Sequence, residues 1–279
     1  MLLLDGKAVA AFHRERVESK IYDFQEQHIR PELAIVLAGQ DKPSAMYASS
    51  MQRVARNVGL SAEIYRLSES VSERDIISML EHFNEQKHIF GILMMMPLPH
   101  HLNASRIINC ISPDKDVDGL TDTNIARLFS GRSGFVPCTP RAVMAILDYY
   151  HISLTGKDVV IIGRSNVVGK PLAQLCLNRN ATVTHCHTRT HDLKAAARRA
   201  DILISAAGAP GLITADMVKP GAVVIDVGIN RVDGKTVGDV DFEGVSQVAG
   251  ALTPVPGGVG AVTTMMVLEN VVCRGAWTD

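Results

Sequence analysis

Tyr47 and Met51 stand four residues apart in Ser44-Ala-Met-Tyr-Ala-Ser-Ser-Met51, the spacing that puts two side chains on one face of a helix. A lysine at the second position would set an ammonium beside a stacking ring, a pair suited to holding a flat heterocycle and moving a proton on it. Met51 supplies a thioether, which neither takes nor gives a proton. Arg53 is no substitute, because i+6 from Tyr47 falls on a different helix face and a guanidinium does not exchange protons near neutrality.

A second cluster points to a nucleotide. Gly163-Arg-Ser-Asn-Val-Val-Gly169-Lys-Pro171 follows a short β-rich run and opens a helix, the context a dinucleotide-binding turn requires. Its spacing is not the common G-x-G-x-x-G, and a ligand-free glycine turn is the bland alternative. Where an NAD site places an acid for the ribose hydroxyls, this chain has His187-Thr-Arg-Thr190. Hydroxyls and a guanidinium suit a 2′-phosphate better than a diol, and Arg164 directly after the turn glycine agrees, so NADP is expected over NAD.

Other clusters say less by themselves. Asp114-Lys-Asp-Val-Asp118-Gly lacks the later ligands of a calcium loop and reads as a solvated turn. Thr253-Pro-Val-Pro-Gly-Gly-Val-Gly260 reads as a loop lining something. His100 and His101 are adjacent, which rarely lets two imidazoles converge on one metal, so no metal site is expected.

The elements that must position these groups alternate β-like and helical. Leu33–Ala38 and Ile89–Met96 read as buried strands, the second closed by Pro97-Leu-Pro99, with a helix over Ser44–Val58 stopped by Gly59. Val159–Ile162, Ala181–Thr184, Ile202–Ser205 and Val223–Asp226 repeat the style with helical spacers, the pattern of a doubly wound parallel sheet. A boundary is expected near Pro137-Cys-Thr-Pro140, ahead of a helical run from Ala142 to Tyr150. At 279 residues the chain is long enough for two domains. The formal net charge of -1, without long runs of like charge, argues against nucleic acid or an anionic membrane as the main partner. Five cysteines, odd in number and without a C-x-x-C, suggest neither a disulfide framework nor zinc, which fits the cytoplasm. The apolar opening Met1-Leu-Leu-Leu meets Asp5-Gly6-Lys7 at once, too short for a signal peptide or a membrane span.

Together these segments resemble the bifunctional methylenetetrahydrofolate dehydrogenase/methenyltetrahydrofolate cyclohydrolase family. The likeness runs in order through Asp5-Gly6-Lys7, Ser44 to Tyr47, Pro97-Leu-Pro99, Pro113 to Gly119, Pro137-Cys-Thr-Pro140, the Gly163 turn, Asp226-Val-Gly-Ile-Asn230, Val237-Gly-Asp239 and Thr253 to Gly260. It implies an α/β fold of two domains. A small N-terminal folate-binding domain (1–138) is completed by a C-terminal helix (262–279), and a Rossmann-like NAD(P)-binding domain spans 139–261, with folate in a cleft between the two. Members are cytosolic homodimers. By the same resemblance Tyr47 stacks on the pterin, Asp118 hydrogen-bonds its edge, and Pro97, Leu98, Gly257, Gly258, Val259 and Ala261 line the substrate site. The NADP contacts fall on Gly163, Arg164, Ser165, Val168, Gly169, Pro171, Thr188, Arg189, Thr190 and Ile229.

The likeness breaks at the chemistry. Met51 stands at the family's catalytic lysine and Met95 at the glutamine that partners it, while Ala261 replaces a proline and Thr121-Asp-Thr123 departs from the usual continuation. Hydrolysis of a methenyl bridge needs a general acid/base, whose loss costs about two to four orders of magnitude. Hydride transfer needs chiefly a short, aligned approach of nicotinamide and methylene carbon. The expectation is therefore NADP-dependent oxidation of 5,10-methylenetetrahydrofolate with cyclohydrolase activity absent or very low. Two alternatives stand behind it: methylene transfer, condensation or cyclisation onto an amine-type second substrate seated near Met51 and Met95, and a non-catalytic folate-binding paralogue.

Overall fold

The structure, a computed structural model, describes residues 1–274. In chain order it runs β1 (Leu2–Leu3), α1 (Gly6–Glu26), β2 (Glu32–Ala38), α2 (Lys42–Asn57), β3 (Ser61–Leu67), α3 (Glu73–Glu85), β4 (Ile89–Met94), α4 (Ala104–Ile108), α5 (Asp122–Phe129) and α6 (Cys138–Tyr149). It continues with β5 (Asp158–Ile162), α7 (Gly169–Asn178), β6 (Thr182–Cys186), α8 (Leu193–Ala197), β7 (Ile202–Ser205), β8 (Val223–Asp226), β9 (Asn230–Val232), β10 (Lys235–Val237), α9 (Phe242–Ser246), β11 (Ala251–Leu252) and α10 (Val259–Cys273). These form two compact units, one of residues 1–12 and 139–266, the other of residues 13–138 and the chain from Val267 on.

The first unit is built on a six-stranded sheet in the order β1-β11-β8-β7-β5-β6, parallel in every ladder. Its inner strands are almost wholly apolar because both faces are covered. Val160, Ile162, Leu203, Val224 and Leu252 pack into one buried cluster. A hairpin of β9 and β10 turns at Asp233-Gly234, both at positive φ, the Asp-Gly signature of a two-residue hairpin loop.

The second unit carries a three-stranded parallel sheet in the order β3-β2-β4, with Ala34, Val36, Ile76, Leu80, Phe83, Ile92 and Met94 in its core. Its helices have clear local causes. Asp41 caps α2 by accepting from Ser44 N–H at 2.9 Å, and Ser72 caps α3. At the far end of α3 the Lys115 ammonium donates to the carbonyls of Phe83, Asn84 and Gln86 at 2.8, 2.7 and 2.7 Å, filling acceptors that a helix C-terminus leaves open.

Several expected boundaries move. The strand expected over 89–96 ends at Met94, because pairing with β2 stops at Val36. The one expected over 181–184 runs from Thr182 to Cys186, following its register with β5. The helix after the proline pair begins at Cys138 rather than Ala142, since a proline is tolerated in a first turn. The segment 253–260 is a loop only to Gly258: Val259 and Gly260 already belong to α10. Of the expected C-terminal helix 262–279, residues 275–279 lie outside the described residues.

Candidate active site

In the second unit, the candidate catalytic residues gather at the C-terminal ends of the parallel strands, where open α/β sheets bind ligands. The Ser44 hydroxyl lies 2.6 Å from Asp41 Oδ2 and 2.8 Å from the Met96 carbonyl. With one proton to donate it serves one acceptor at a time, and it ties the start of α2 to the segment leaving β4. Tyr47 is 38% exposed and Met51, one turn further, is fully buried. Met95 is 6% exposed, its N–H donating to the Val36 carbonyl at 2.9 Å. Pro97 is exposed, whereas the Leu98 side chain belongs to the core of this unit. Gln52 donates to the Ala62 carbonyl and Arg53 is exposed beside Ser50.

The segment expected as a solvated turn is instead a braced arm. The Ile92 N–H donates to the Lys115 carbonyl at 2.7 Å, and Ile92 bridges Asp116 in parallel, so Asp118 follows β4 toward its C-terminal end. Asp116 is buried and accepts from Leu120 N–H, Thr121 N–H and the Asn124 amide, a structural task that its bare spacing did not reveal. Gly91 leaves room for the arm, since a Cβ there would lie 2.4 Å from Val117 Cγ1. Burial, and then the charge of Asp116, push the Asp118 carboxyl up to about 7 against hydrogen bonds from Cys138. A carboxyl at that value is poised between donor and acceptor at neutral pH.

The first unit holds the candidate cofactor residues. Gly163 has φ +120°, and a Cβ there would lie 2.1 Å from the Ala206 carbonyl oxygen; one on Gly169 would lie 2.0 Å from the Gly163 carbonyl oxygen. Only glycine closes this turn. Ser165 Oγ accepts from Val168 and Gly169 N–H, and His185 Nε2 sits 2.6 Å from the Gly163 carbonyl. The backbone N–H groups of Arg164, Ser165, Asn166 and Val167 have no acceptor among the described residues, the arrangement of an anion nest at a helix N-terminus. Beyond β6, Thr190 Oγ1 accepts from His187 N–H, and His187 Nδ1 accepts from Arg189 N–H, so the neutral imidazole carries its proton on Nε2. Arg164 and Arg189 are exposed and have no ion-pair partner among the described residues.

Two buried aspartates, given no role by sequence reasoning, explain the glycines around them. Asp239 accepts from Ser205 Oγ, the N–H groups of Ala207, Gly208 and Ala209, and the Asn230 amide. Asp226 accepts from Gly228, Asp239 and Val240 N–H. A Cβ on Gly228 would lie 2.2 Å from Asp239 Oδ1, and one on Gly238 1.8 Å from Asp226 Oδ2. The Asp226-Val-Gly and Val-Gly-Asp239 signatures are thus one hydrogen-bonded brace on the loop after β7. Thr253 joins it by accepting from Asp226 N–H. Gly6 donates to the Gly257 carbonyl, and a Cβ on it would lie 2.0 Å from the Gly258 carbonyl oxygen. Ile229, 68% exposed, packs over Gly260, which gathers Ile229 and the Gly257–Ala261 residues in this unit.

Among the described residues no three of His, Cys, Asp or Glu are grouped to hold a metal, the cysteines form no disulfide, and no helix is long and apolar enough to cross a membrane.

Comparison with known proteins agrees with this architecture. Residues 4–118 match the model of the tetrahydrofolate dehydrogenase/cyclohydrolase catalytic domain, and residues 137–277 that of the NAD(P)-binding domain of the same family. The chain is 44% identical to bifunctional protein FolD of Exiguobacterium sibiricum over 97% of this chain and 98% of that one. It is 49% identical to bifunctional protein FolD of Streptococcus agalactiae over 96% and 95%. The bifunctional enzyme FolD of Campylobacter jejuni superposes with a TM-score of 0.97 at 44% identity, covering 99% of this chain and 98% of that one. A Trypanosoma brucei methylenetetrahydrofolate dehydrogenase-cyclohydrolase, solved with NADP and an inhibitor, gives 0.93 at 34% identity over 98% and 97%. With both domain models matched in order along one two-unit α/β scaffold, the chain belongs to the tetrahydrofolate dehydrogenase/cyclohydrolase family.

Proposed function

We propose that this protein uses NADP⁺ to oxidise 5,10-methylenetetrahydrofolate to 5,10-methenyltetrahydrofolate, and that it hydrolyses the methenyl product very slowly or not at all. The dehydrogenase half rests on family membership, the glycine turn with its unpaired N–H groups, and the two unengaged guanidiniums suited to a 2′-phosphate. The relatives are named bifunctional, so the loss of hydrolysis is a specific claim about this chain. The observation that carries it is Met51, a fully buried thioether one turn from Tyr47 at the place the family resemblance gives to a proton-exchanging lysine. Met95, 6% exposed and two residues before Pro97-Leu-Pro99, stands at the place the family resemblance gives to the amide partner.

Tyr47 offers its exposed ring to the pterin face, and Asp118, when ionised, accepts from pterin N–H groups. NADP⁺ when bound supplies the hydride acceptor. The C–H bond of the methylene bridge breaks with its electron pair, leaving the methenyl cation, and no protein base is consumed. Catalysed hydrolysis of that cation needs a side chain to take the proton of the attacking water; neither methionine can, and Asp118 is engaged as the acceptor of the pterin N–H groups. A second substrate seated at Met51 draws no support from a side chain with no exposed surface.

The test follows NADPH and the methenyl chromophore separately after mixing protein, 5,10-methylenetetrahydrofolate and NADP⁺ in a buffer where spontaneous hydrolysis is slow. Equimolar NADPH and accumulating methenyl product are expected. Formyl product appearing as fast as NADPH would refute the loss of hydrolysis, and no NADPH from protein that binds folate would refute the dehydrogenase.

A further inference from the structure

The unit of residues 13–138 holds an arginine-lined cavity that the dehydrogenase reaction does not use. Arg127, Arg132 and Arg274 line it with Asp114, Ser133 and Gly134, around about 280 Å³. Each guanidinium has an anchor in this unit. Arg127 Nη1 lies 3.3 Å from both Asp114 Oδ1 and Asn124 Oδ1, and Gly134 lets the side chain pass, since a Cβ there would lie 2.8 Å from Arg127 Cδ. Arg132 Nε donates to Ser130 Oγ at 2.9 Å. Arg274 lies 5.0 Å over the Phe90 ring, a cation–π contact.

The charges do not balance. Three cations meet one carboxylate in the lining, and Arg132 and Arg274 have no acidic partner among the described residues. The excess is felt nearby: the Lys115 ammonium is held below its ordinary value by burial first and by the Arg274 charge second. Guanidiniums anchored in this way, Arg127 and Arg132 by one edge and Arg274 over a ring, keep N–H groups for an incoming oxyanion at small entropic cost.

We propose that this cavity binds a compact oligoanion carrying two or more carboxylate or phosphate groups. Its volume of about 280 Å³ lies just below the usual range for ligand pockets, which favours a compact ligand. The three forks suit a group that offers several oxygen pairs at once, and Asp114 acts as a resident competitor for Arg127.

The proposal is tested by isothermal titration of the full chain with pyrophosphate and, separately, citrate at low ionic strength. An Arg164→Ala, Arg189→Ala background removes the two guanidiniums of the candidate nucleotide site, and any heat from the backbone nest after Gly163 is the part that persists when the cavity arginines are also replaced. Binding that weakens with added salt is expected for at least one probe, and whichever binds tighter assigns phosphate or carboxylate as the natural group. Adding Arg132→Ala and Arg274→Ala should weaken it about tenfold or more. Asp114→Asn should tighten it, a gain that a damaged fold would not produce. Absence of binding to both probes in the background protein, binding unchanged by the arginine substitutions in protein folded by circular dichroism, or weaker binding in Asp114→Asn would each overturn it.

Discussion

Replacing Met51 by lysine and Met95 by glutamine should install methenyl hydrolysis at a measurable expense in stability. Met51 is fully buried, and burial lowers a lysine by up to about 3–5 pH units from its ordinary ~10.4, bringing it near neutrality where acid–base catalysis is most effective. Holding the amine neutral at pH 7 costs about 4–5 kcal/mol, a large share of the ~5–15 kcal/mol that stabilises a typical domain. Lysine is one atom longer than methionine, so it can relieve part of that cost by reaching along the helix toward the exposed Tyr47. In return, a general acid/base contributes about 10²–10⁴ in rate, or about 3–5 kcal/mol off the barrier. The glutamine at position 95, 6% exposed in its present form, gives the amine a hydrogen-bond partner that Met95 lacks. The assay is loss of the methenyl chromophore above its spontaneous rate, alongside urea unfolding. The double variant should hydrolyse, Met51→Lys alone should hydrolyse less, and both should unfold at lower urea. A folded, folate-binding double variant with no hydrolysis above background would refute the claim that these two positions explain the loss.

Other outcomes follow from the same geometry. If ionised Asp118 receives the pterin N–H groups, KM for the folate falls as pH rises through about 7, the value to which burial and Asp116 push its carboxyl; Asp118→Asn should raise KM and flatten that profile. The same raised value has a consequence for stability. The folded state holds the proton more tightly than the unfolded chain, so this contribution is fully present below about 3.8 and is lost as pH rises to about 7, and urea unfolding of Asp118→Asn should lack that slope. Arg164→Gln and Arg189→Gln should each raise KM for NADP about tenfold or more while leaving KM for NAD nearly unchanged, and an equal loss with both cofactors would refute their assignment to the 2′-phosphate. Gly238→Ala, whose new Cβ would lie 1.8 Å from Asp226 Oδ2, should cost about 1–3 kcal/mol or more in urea unfolding, whereas Gly234→Ala at the hairpin tip meets no neighbour and should lose only the small amount its positive φ imposes.

Much of the scaffold could be read from periodicity. The apolar runs of β2, β5, β7 and β8 are near-continuous because a covered parallel strand has no polar face, so they fell within a residue or two of their observed limits. The β9–β10 hairpin was missed although Asp233-Gly234 announces it, because the flanking strands are three residues each and show no alternation. Strand β1, two residues long, offers nothing to a pattern; it exists because β11 offers it an unpaired edge.

The site divides along the same line. Residue type alone decides that Met51 and Met95 exchange no protons and that Arg164 and Arg189 carry permanent charge, since these are properties of the side chains wherever they lie. Spacing along a helix decides that Tyr47 and Met51 share a face. Tertiary structure alone separates the three acids of Asp114-Lys-Asp-Val-Asp118: Asp114 reaches Arg127, Asp116 is buried on three donors, and Asp118 is driven toward neutrality. Likewise it joins Asp226 and Asp239, 13 residues apart, into one brace, and sets Arg127, Arg132 and Arg274 around one cavity. The reason is physical: a charge or a hydrogen bond acts over a few ångströms of space, and distant stretches of chain come that close only once the sheets have formed and the core has packed.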